Sequence, residues 1–177
     1  MMDTVSGRAW ILGDNIDTDQ IIQGKYLTVL DYAEMARHAL EIPLPRFAKE
    51  VRVGDILVSG RNLGGGSSRE EAPRVLKQLG VSCIVAESYA RIFYRNCFNI
   101  GLPALIVPDA RQGVEQGDHL DIDLRRGLVS NVTRGVVLTA RPLPAFMVRI
   151  LEAGGAVELY KSARRVAEKE TTTKTDK

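Results

Sequence analysis

The part of this chain best equipped for chemistry is the run Gly60-Arg61-Asn62-Leu63-Gly64-Gly65-Gly66-Ser67-Ser68-Arg69-Glu70-Glu71. Three adjacent glycines open backbone conformations closed to other residues and let a ligand or a second chain approach the main chain. The run lies between an apolar segment, Ile56-Leu57-Val58, and a helical pattern from Ala72 to Leu79. The amides of Gly65 to Ser68 therefore fall at or just before a helix N-terminus, where unpaired N–H groups and the helix dipole favour a carboxylate or phosphate. Arg69 adds a planar fork of donors suited to a carboxylate. Pro73 fits only a first helical turn, so the helix starts after Arg69 and leaves Ser67 and Ser68 on the loop, within reach of a ligand. The competing assignment is capping. Ser67 with Glu70, and Ser68 with Glu71, each have the three-residue spacing of a capping box, the commonest task of a serine before a helix.

Other chemistries fit less well. A nucleotide-hydrolase phosphate loop needs a Lys after the last glycine, and a dinucleotide fingerprint needs a third glycine where Arg69 stands. A hydrolase-type serine needs a histidine base. The only histidines are His38, in a helical pattern, and His119, in an alternating segment, and both suit solvated or packing roles. Cys83 in an apolar strand and Cys97 in a helical pattern do not make a metal site by count or spacing, so the expectation is no metal on this chain.

The loop must be positioned by a folded body. With 177 residues, 45% hydrophobic and 26% charged, the chain has room for one domain of about 150 residues and a short appendage. The net charge of +2 is concentrated at the end, where residues 161–177 hold six basic and three acidic side chains. The body is near neutral, which argues against nucleic acid. No apolar run approaches the ~18 residues of a membrane span, no secretory signal pattern opens the chain, and two cysteines make no disulfide framework. Location in the cytoplasm is expected.

Gly7 to Leu12 reads as a first strand leading into a polar loop, Gly13 to Gln20. Leu30 to Leu40 has helical spacing and is ended by Pro43 and Pro45. After strand Ile56–Val58 and helix Ala72–Leu79, stopped by Gly80, come strand Cys83–Ala86, helix Tyr89–Phe98 with Ile92, Phe93, Cys97 and Phe98 toward one face, and strand Ala104–Val107. Alternating strands and helices give parallel units. Beyond Pro108, His119–Leu124 and Val129–Leu138 alternate, with turns at Gly127 and Gly135, the pattern of antiparallel strands. Pro144–Ala153 closes the fold as a helix before Gly154-Gly155. From Ser162 the chain is polar and Thr-rich, and disorder is expected there. The division is a domain over 1–160 and a polar tail over 161–177.

Taken together, Asn15-Ile16-Asp17-Thr18-Asp19-Gln20-Ile21, Gly24-Lys25-Tyr26-Leu27, the Gly60–Glu70 run, Glu87-Ser88-Tyr89-Ala90-Arg91-Ile92-Phe93-Tyr94-Arg95-Asn96 and Asn99-Ile100-Gly101-Leu102-Pro103 resemble the small subunits of 3-isopropylmalate dehydratases, stand-alone versions of the mobile swivel domain of aconitase. The resemblance spans about Gly7 to Pro108 in order and spacing. It implies an α/β fold: a three-layer swivelling domain with a mixed, mostly parallel sheet, helices and a small antiparallel β segment. It also implies a separate large subunit carrying a four-iron four-sulfur cluster, in a heterodimer or heterotetramer, and a hydroxy-dicarboxylate substrate isomerised by dehydration and rehydration in leucine biosynthesis. By the same resemblance Ser67 is the catalytic base, Ser68 supports it, Asp19 is an acidic residue near the active site, and Arg69 with Gly66 binds a substrate carboxylate. A serine hydroxyl is too weak an acid to ionise unaided, and amides with a guanidinium are the groups that stabilise its anion.

Three positions depart from the family pattern: Gly65 where many relatives carry Cys, Glu71 where they carry His, and Gln20 where Glu or His follows the Asp. The segment Tyr26, Leu27, Thr28, Val29 and Leu30 is the expected substrate-recognition loop. In relatives acting on tricarboxylates it offers an arginine, which is missing here, so a malate with a small alkyl substituent is the expected substrate. The alternatives are a homoaconitase or 2,3-dimethylmalate dehydratase subunit, and a non-catalytic carboxylate-binding module that kept the fold.

Overall fold

The computed structural model describes residues 4–175, with side chains from Thr4 to Arg165. The β-branched and apolar residues that open the chain form β1 (Thr4–Ile11). The polar loop after it tightens into a single turn, α1 (Thr18–Ile21), and a 3-10 turn follows at Gly24–Tyr26. The loop expected over Gly13–Gln20 is thus partly helical. Asp17 and Gln20 explain this: the Asp17 carboxylate accepts the Gln20 amide at 2.8 Å and the Gln20 side chain accepts the Asp17 amide at 3.0 Å, a reciprocal cap.

α2 covers only Tyr32–Ala36, shorter than the Leu30–Leu40 pattern. The Leu40 amide bonds the Ile21 carbonyl instead of a helical partner, at 2.9 Å, and the backbone there has a positive φ of 57°. A further turn, α3 (Phe47–Glu50), precedes β2 (Ile56–Ser59). Then come α4 (Glu71–Gln78), β3 (Cys83–Ala86), α5 (Arg91–Asn99), β4 (Ala104–Ile106) and α6 (Ala110–Gly113). β5 (His119–Asp123), β6 (Leu128–Asn131) and β7 (Val136–Thr139) lead to α7 (Ala145–Glu152) and α8 (Ala156–Thr175). The short turns α3 and α6 had no periodic signal. Ile92, expected on the buried face of α5, is 44% exposed, while Phe93, Cys97 and Phe98 are buried.

The strands form one sheet in the order β4-β3-β2-β1-β5-β6-β7. β1 to β4 pair in parallel, and β5 runs antiparallel to β1 and begins the antiparallel part. Strand alternation splits the interior in two. Trp10, Leu57, Ile84 and Ala86 face a core completed by Ile21, Phe47, Leu76 and Phe93 from the helical side. Ala9, Ile56, Val58, Cys83 and Val85 face a second core, with Ala110, Leu120 and Val129. The α/β fold with a mixed sheet is the class expected.

The segment from Ser162, expected to be disordered, lies in α8, and the 160/161 boundary falls inside that helix. Ala, Glu, Lys and Arg are strong helix formers, and Lys161 bridges to Glu158 at 2.8 Å one turn back. Residues 176 and 177, also part of the expected tail, lie outside the described residues. No helix among the described residues is long and apolar enough to cross a membrane.

Candidate functional site

The loops that follow β1, β2 and β3 meet at the carboxyl ends of the parallel strands, where open α/β sheets gather their ligand sites. They are tied to one another by backbone bonds. Asp17 and Gly65 form a parallel bridge, as do Leu63 and Tyr89. The Gly64 amide bonds the Ile16 carbonyl at 2.7 Å, the Thr18 amide bonds the Gly65 carbonyl at 2.9 Å, and the Leu63 amide bonds the Ser88 carbonyl at 3.1 Å. Gly64 is required here. Its φ is +84°, and a Cβ would stand 2.1 Å from Cγ of Phe93. At Gly65 a Cβ would meet only the Asn62 side chain, at 3.8 Å, so a cysteine fits the same backbone.

Ser67 and Ser68 are exposed on this loop. Neither caps a helix: α4 begins after Glu70, which makes no side-chain cap. The Ser67 hydroxyl instead lies 2.7 Å from the hydroxyl of Thr18 and accepts the Arg69 amide at 3.3 Å. Thr18 is 1% exposed, so a buried hydroxyl on α1 holds an exposed one on the glycine loop. Ser68 is held through its carbonyl, which the Asn96 amide approaches at 3.4 Å from α5.

Arg69 Nη1 donates to Asp19 Oδ1 at 2.7 Å and to the Ile22 carbonyl at 2.9 Å. The Gly24 amide also donates to Asp19 Oδ1, at 2.9 Å. The Arg69 bond first and the Gly24 bond second hold the Asp19 carboxyl below its usual range, so it is ionised at neutral pH and fixes the guanidinium. The structure therefore brings Ser67, Ser68, Arg69, Asp19 and Gly66 together.

The segment expected to read the substrate divides. Leu27 and Val29 are half-buried and pack on the helical-side core together with the Tyr26 ring. Thr28 is exposed and Leu30 is 96% exposed. The Tyr26 hydroxyl is already committed to Glu41 at 2.8 Å. Thr18 and Asn96 stand within the quoted motifs but carried no assigned role. Only their long-range partners reveal one, since each lies 28 or more residues from the loop atom it touches.

Gln20 closes the α1 cap, which explains a side-chain acceptor there. Glu71 opens α4, where the helix dipole favours an acid. An open concavity of about 410 Å³ between α4 and the start of α8, lined in part by Arg74, Lys77 and Gly155, includes none of the loop residues.

Cys83 and Cys97 are free, fully buried and belong to different cores. Burial pushes both thiols far above their usual range. No group of three or more His, Cys, Asp or Glu among the described residues could hold a metal. These residues do not fit an iron–sulfur cluster, which takes several cysteine thiolates.

The family model of the aconitase C-terminal domain matches residues 13–110, the span that holds all of these loops. The chain belongs to the aconitase C-terminal domain family. Within that family it is 53% identical over 161 residues to 3-isopropylmalate dehydratase small subunit 1 of Methanopyrus kandleri, covering 91% of this chain and 95% of the relative. It is 49% identical over 160 residues to the methanogen homoaconitase small subunit of Methanothermobacter thermautotrophicus, covering 90% and 92%. The crystal structure of a 3-isopropylmalate dehydratase from Methanocaldococcus jannaschii superposes with a TM-score of 0.90 at 36% identity, over 94% of this chain and 99% of that one. The aconitase C-terminal domain fold thus extends well beyond the matched span, to the antiparallel strands and the closing helices.

Proposed function

We propose that this chain is the small subunit of a cytoplasmic 3-isopropylmalate dehydratase, a hydro-lyase whose active site is completed by a cluster-bearing large subunit. The observation that carries this reading is the Ser67 hydroxyl, exposed, released from capping and held by Thr18 and the Arg69 amide. A mere carboxylate binder has no use for such a group. In the proposed reaction Ser67 Oγ, as its alkoxide, takes the proton from the substrate carbon. The C–H electron pair becomes the carbon–carbon double bond, and the hydroxyl leaves with its own pair toward the half of the site assigned to the partner. Addition of water with the opposite orientation moves the hydroxyl to the neighbouring carbon. The Arg69 amide favours the anionic form of Ser67. With Nη1 bound to Asp19 and Ile22, Arg69 has Nη2 and Nε to offer a substrate carboxylate.

Substrate choice follows from the loop beside Asp19. It carries no arginine from Tyr26 to Leu30, and the ammonium of Lys25 lies 4.7 Å over the Tyr26 ring. A third carboxylate against Leu30 would lose hydration without a partner, whereas an alkyl substituent gains about 25 cal/mol per Å² buried. The relative named as a homoaconitase subunit supports the second reading, a tricarboxylate substrate. The test combines the purified chain with its large subunit and measures turnover of isopropylmalate and homocitrate. Activity only in the assembled enzyme, with isopropylmalate preferred, supports the proposal. Turnover by the single chain, or preference for homocitrate, refutes it.

A further inference from the structure

A side-chain cluster outside the catalytic loop grips the substrate-reading segment. Glu41 Oε2 accepts the Tyr26 hydroxyl at 2.8 Å and the Gln23 side-chain amide at 3.2 Å, and Oε1 lies 2.7 Å from His38 Nδ1. The Tyr26 and His38 rings stack with centroids 3.8 Å apart and planes 10° from parallel. The main chain from Gly24 to Val29 belongs to no strand and is held by short-range bonds, Tyr26 to Gln23, Leu27 to Gly24 and Val29 to Tyr26. Its start is fixed to the catalytic loop, through Gly24 on Asp19 and Arg69 on Ile22. Its middle is fixed through Tyr26, beyond which Leu27 and Val29 pack on the helical-side core.

We infer that Glu41 is a positioning residue that, by clamping Tyr26 and Gln23, sets where Leu27 to Leu30 meet the substituent of the substrate and so governs substrate discrimination. This rests on the function proposed above. Glu41 does not touch the reacting atoms in this scheme. A charged acceptor fixes an aromatic ring whose neighbours in sequence are the reading residues, and the ring is stacked so that it cannot swing without breaking the His38 contact.

The test uses the assembled enzyme with Glu41→Ala, Glu41→Gln and Tyr26→Phe, reading kcat and KM for isopropylmalate and homocitrate, and amide hydrogen exchange over residues 24–30 of the free chain. Loss of a charge-assisted hydrogen bond loosens a held segment about tenfold. Glu41→Ala should therefore cut the preference for isopropylmalate about tenfold through KM, with kcat within about twofold, and speed exchange over 24–30 alone. Glu41→Gln keeps an acceptor for Tyr26 and should retain most of the preference, with Tyr26→Phe between the two. An unchanged preference in Glu41→Ala, or an equal fall of kcat on both substrates, overturns the inference. A wild-type enzyme that turns over neither substrate refutes the proposed function before any variant is compared. Exchange then decides the clamp by itself, and unchanged exchange in Glu41→Ala overturns it.

Discussion

Removing the Ser67 hydroxyl separates a base from a structural serine, because its structural share can be worked out in advance. In Ser67→Ala the buried Thr18 hydroxyl, 1% exposed, loses its partner at 2.7 Å. An orphaned buried hydroxyl costs about 1–3 kcal/mol. Since Ser67 itself is exposed, water can fill the space it leaves, which puts the cost near the low end, about 1 kcal/mol, or a fall in Tm of about 2–4 °C for a domain of this size. Thr18→Val removes the other half of the pair, and the double variant leaves no orphan, so the two stability losses should overlap by about 1 kcal/mol. Turnover should behave differently. Losing a general base costs about 10²–10⁴-fold, so Ser67→Ala should be nearly inactive after assembly. Thr18→Val keeps the base and should lose about tenfold or less, the cost of a mispositioned hydroxyl. Melting curves of the four free chains and turnover of the four assembled enzymes give the complete cycle. If Ser67→Ala retained turnover within tenfold of wild type while melting lower, the hydroxyl would be a strut and the assignment of a base would fail.

Three further outcomes are expected. Gly64→Ala would drive a Cβ into the Phe93 ring at a φ of +84° and should cost on the order of 2 kcal/mol or more, whereas Gly65→Cys, with only the Asn62 side chain at 3.8 Å, should change stability by about 0.5 kcal/mol or less; urea melts of the two variants compare them directly. Burial raises the Asp55 carboxyl, but bonds from the Arg52 amide, Trp10 and Arg8 outweigh it and hold the group below its usual range. Its contribution is therefore present above the unfolded value of about 4 and lost as pH falls through the lower folded value, and Asp55→Asn should flatten that acid limb in denaturation curves taken from pH 7 downward. Thr28→Arg, at an exposed position of the reading segment, should move the ratio of kcat/KM from isopropylmalate toward homocitrate, and an unchanged ratio would show that this segment does not meet the substituent.

The parts of the fold legible in the sequence are those governed by local rules. Pro73 placed the start of α4 close to where it lies because a ring without an N–H tolerates only the first turn, and Gly80, Gly127 and Gly135 marked chain reversals that all have positive φ. Buried strands showed as short apolar runs. The discrepancies arise where a distant partner overrides local preference. Leu40 breaks a helical pattern because its amide reaches Ile21. The serine spacing that matched a capping box is not used because Ser67 finds Thr18, 49 residues away, and the helix starts without it. Glu41 carried no signal at all, since its three partners surround it only once the chain has turned after α2. At the other end, α8 continues through residues whose polar composition suggested disorder, because composition measures the lack of a core and not the helical preference of Ala, Lys, Arg and Glu.

The bridges that tie Asp17 to Gly65 and Leu63 to Tyr89 bear on how, under the proposed function, two chains would share one site. They carry the pairing of the parallel strands past the strand ends, to within two residues of Ser67. A half-site suspended from a loose loop would have to be ordered when the partner arrives, at about 0.5–1.5 kcal/mol per side chain immobilised. Here the loops are already tied to one another within the single chain, so in the proposed assembly that entropy would be lost once, during folding. Under the proposed function, this chain would bring a formed surface to the encounter with its partner.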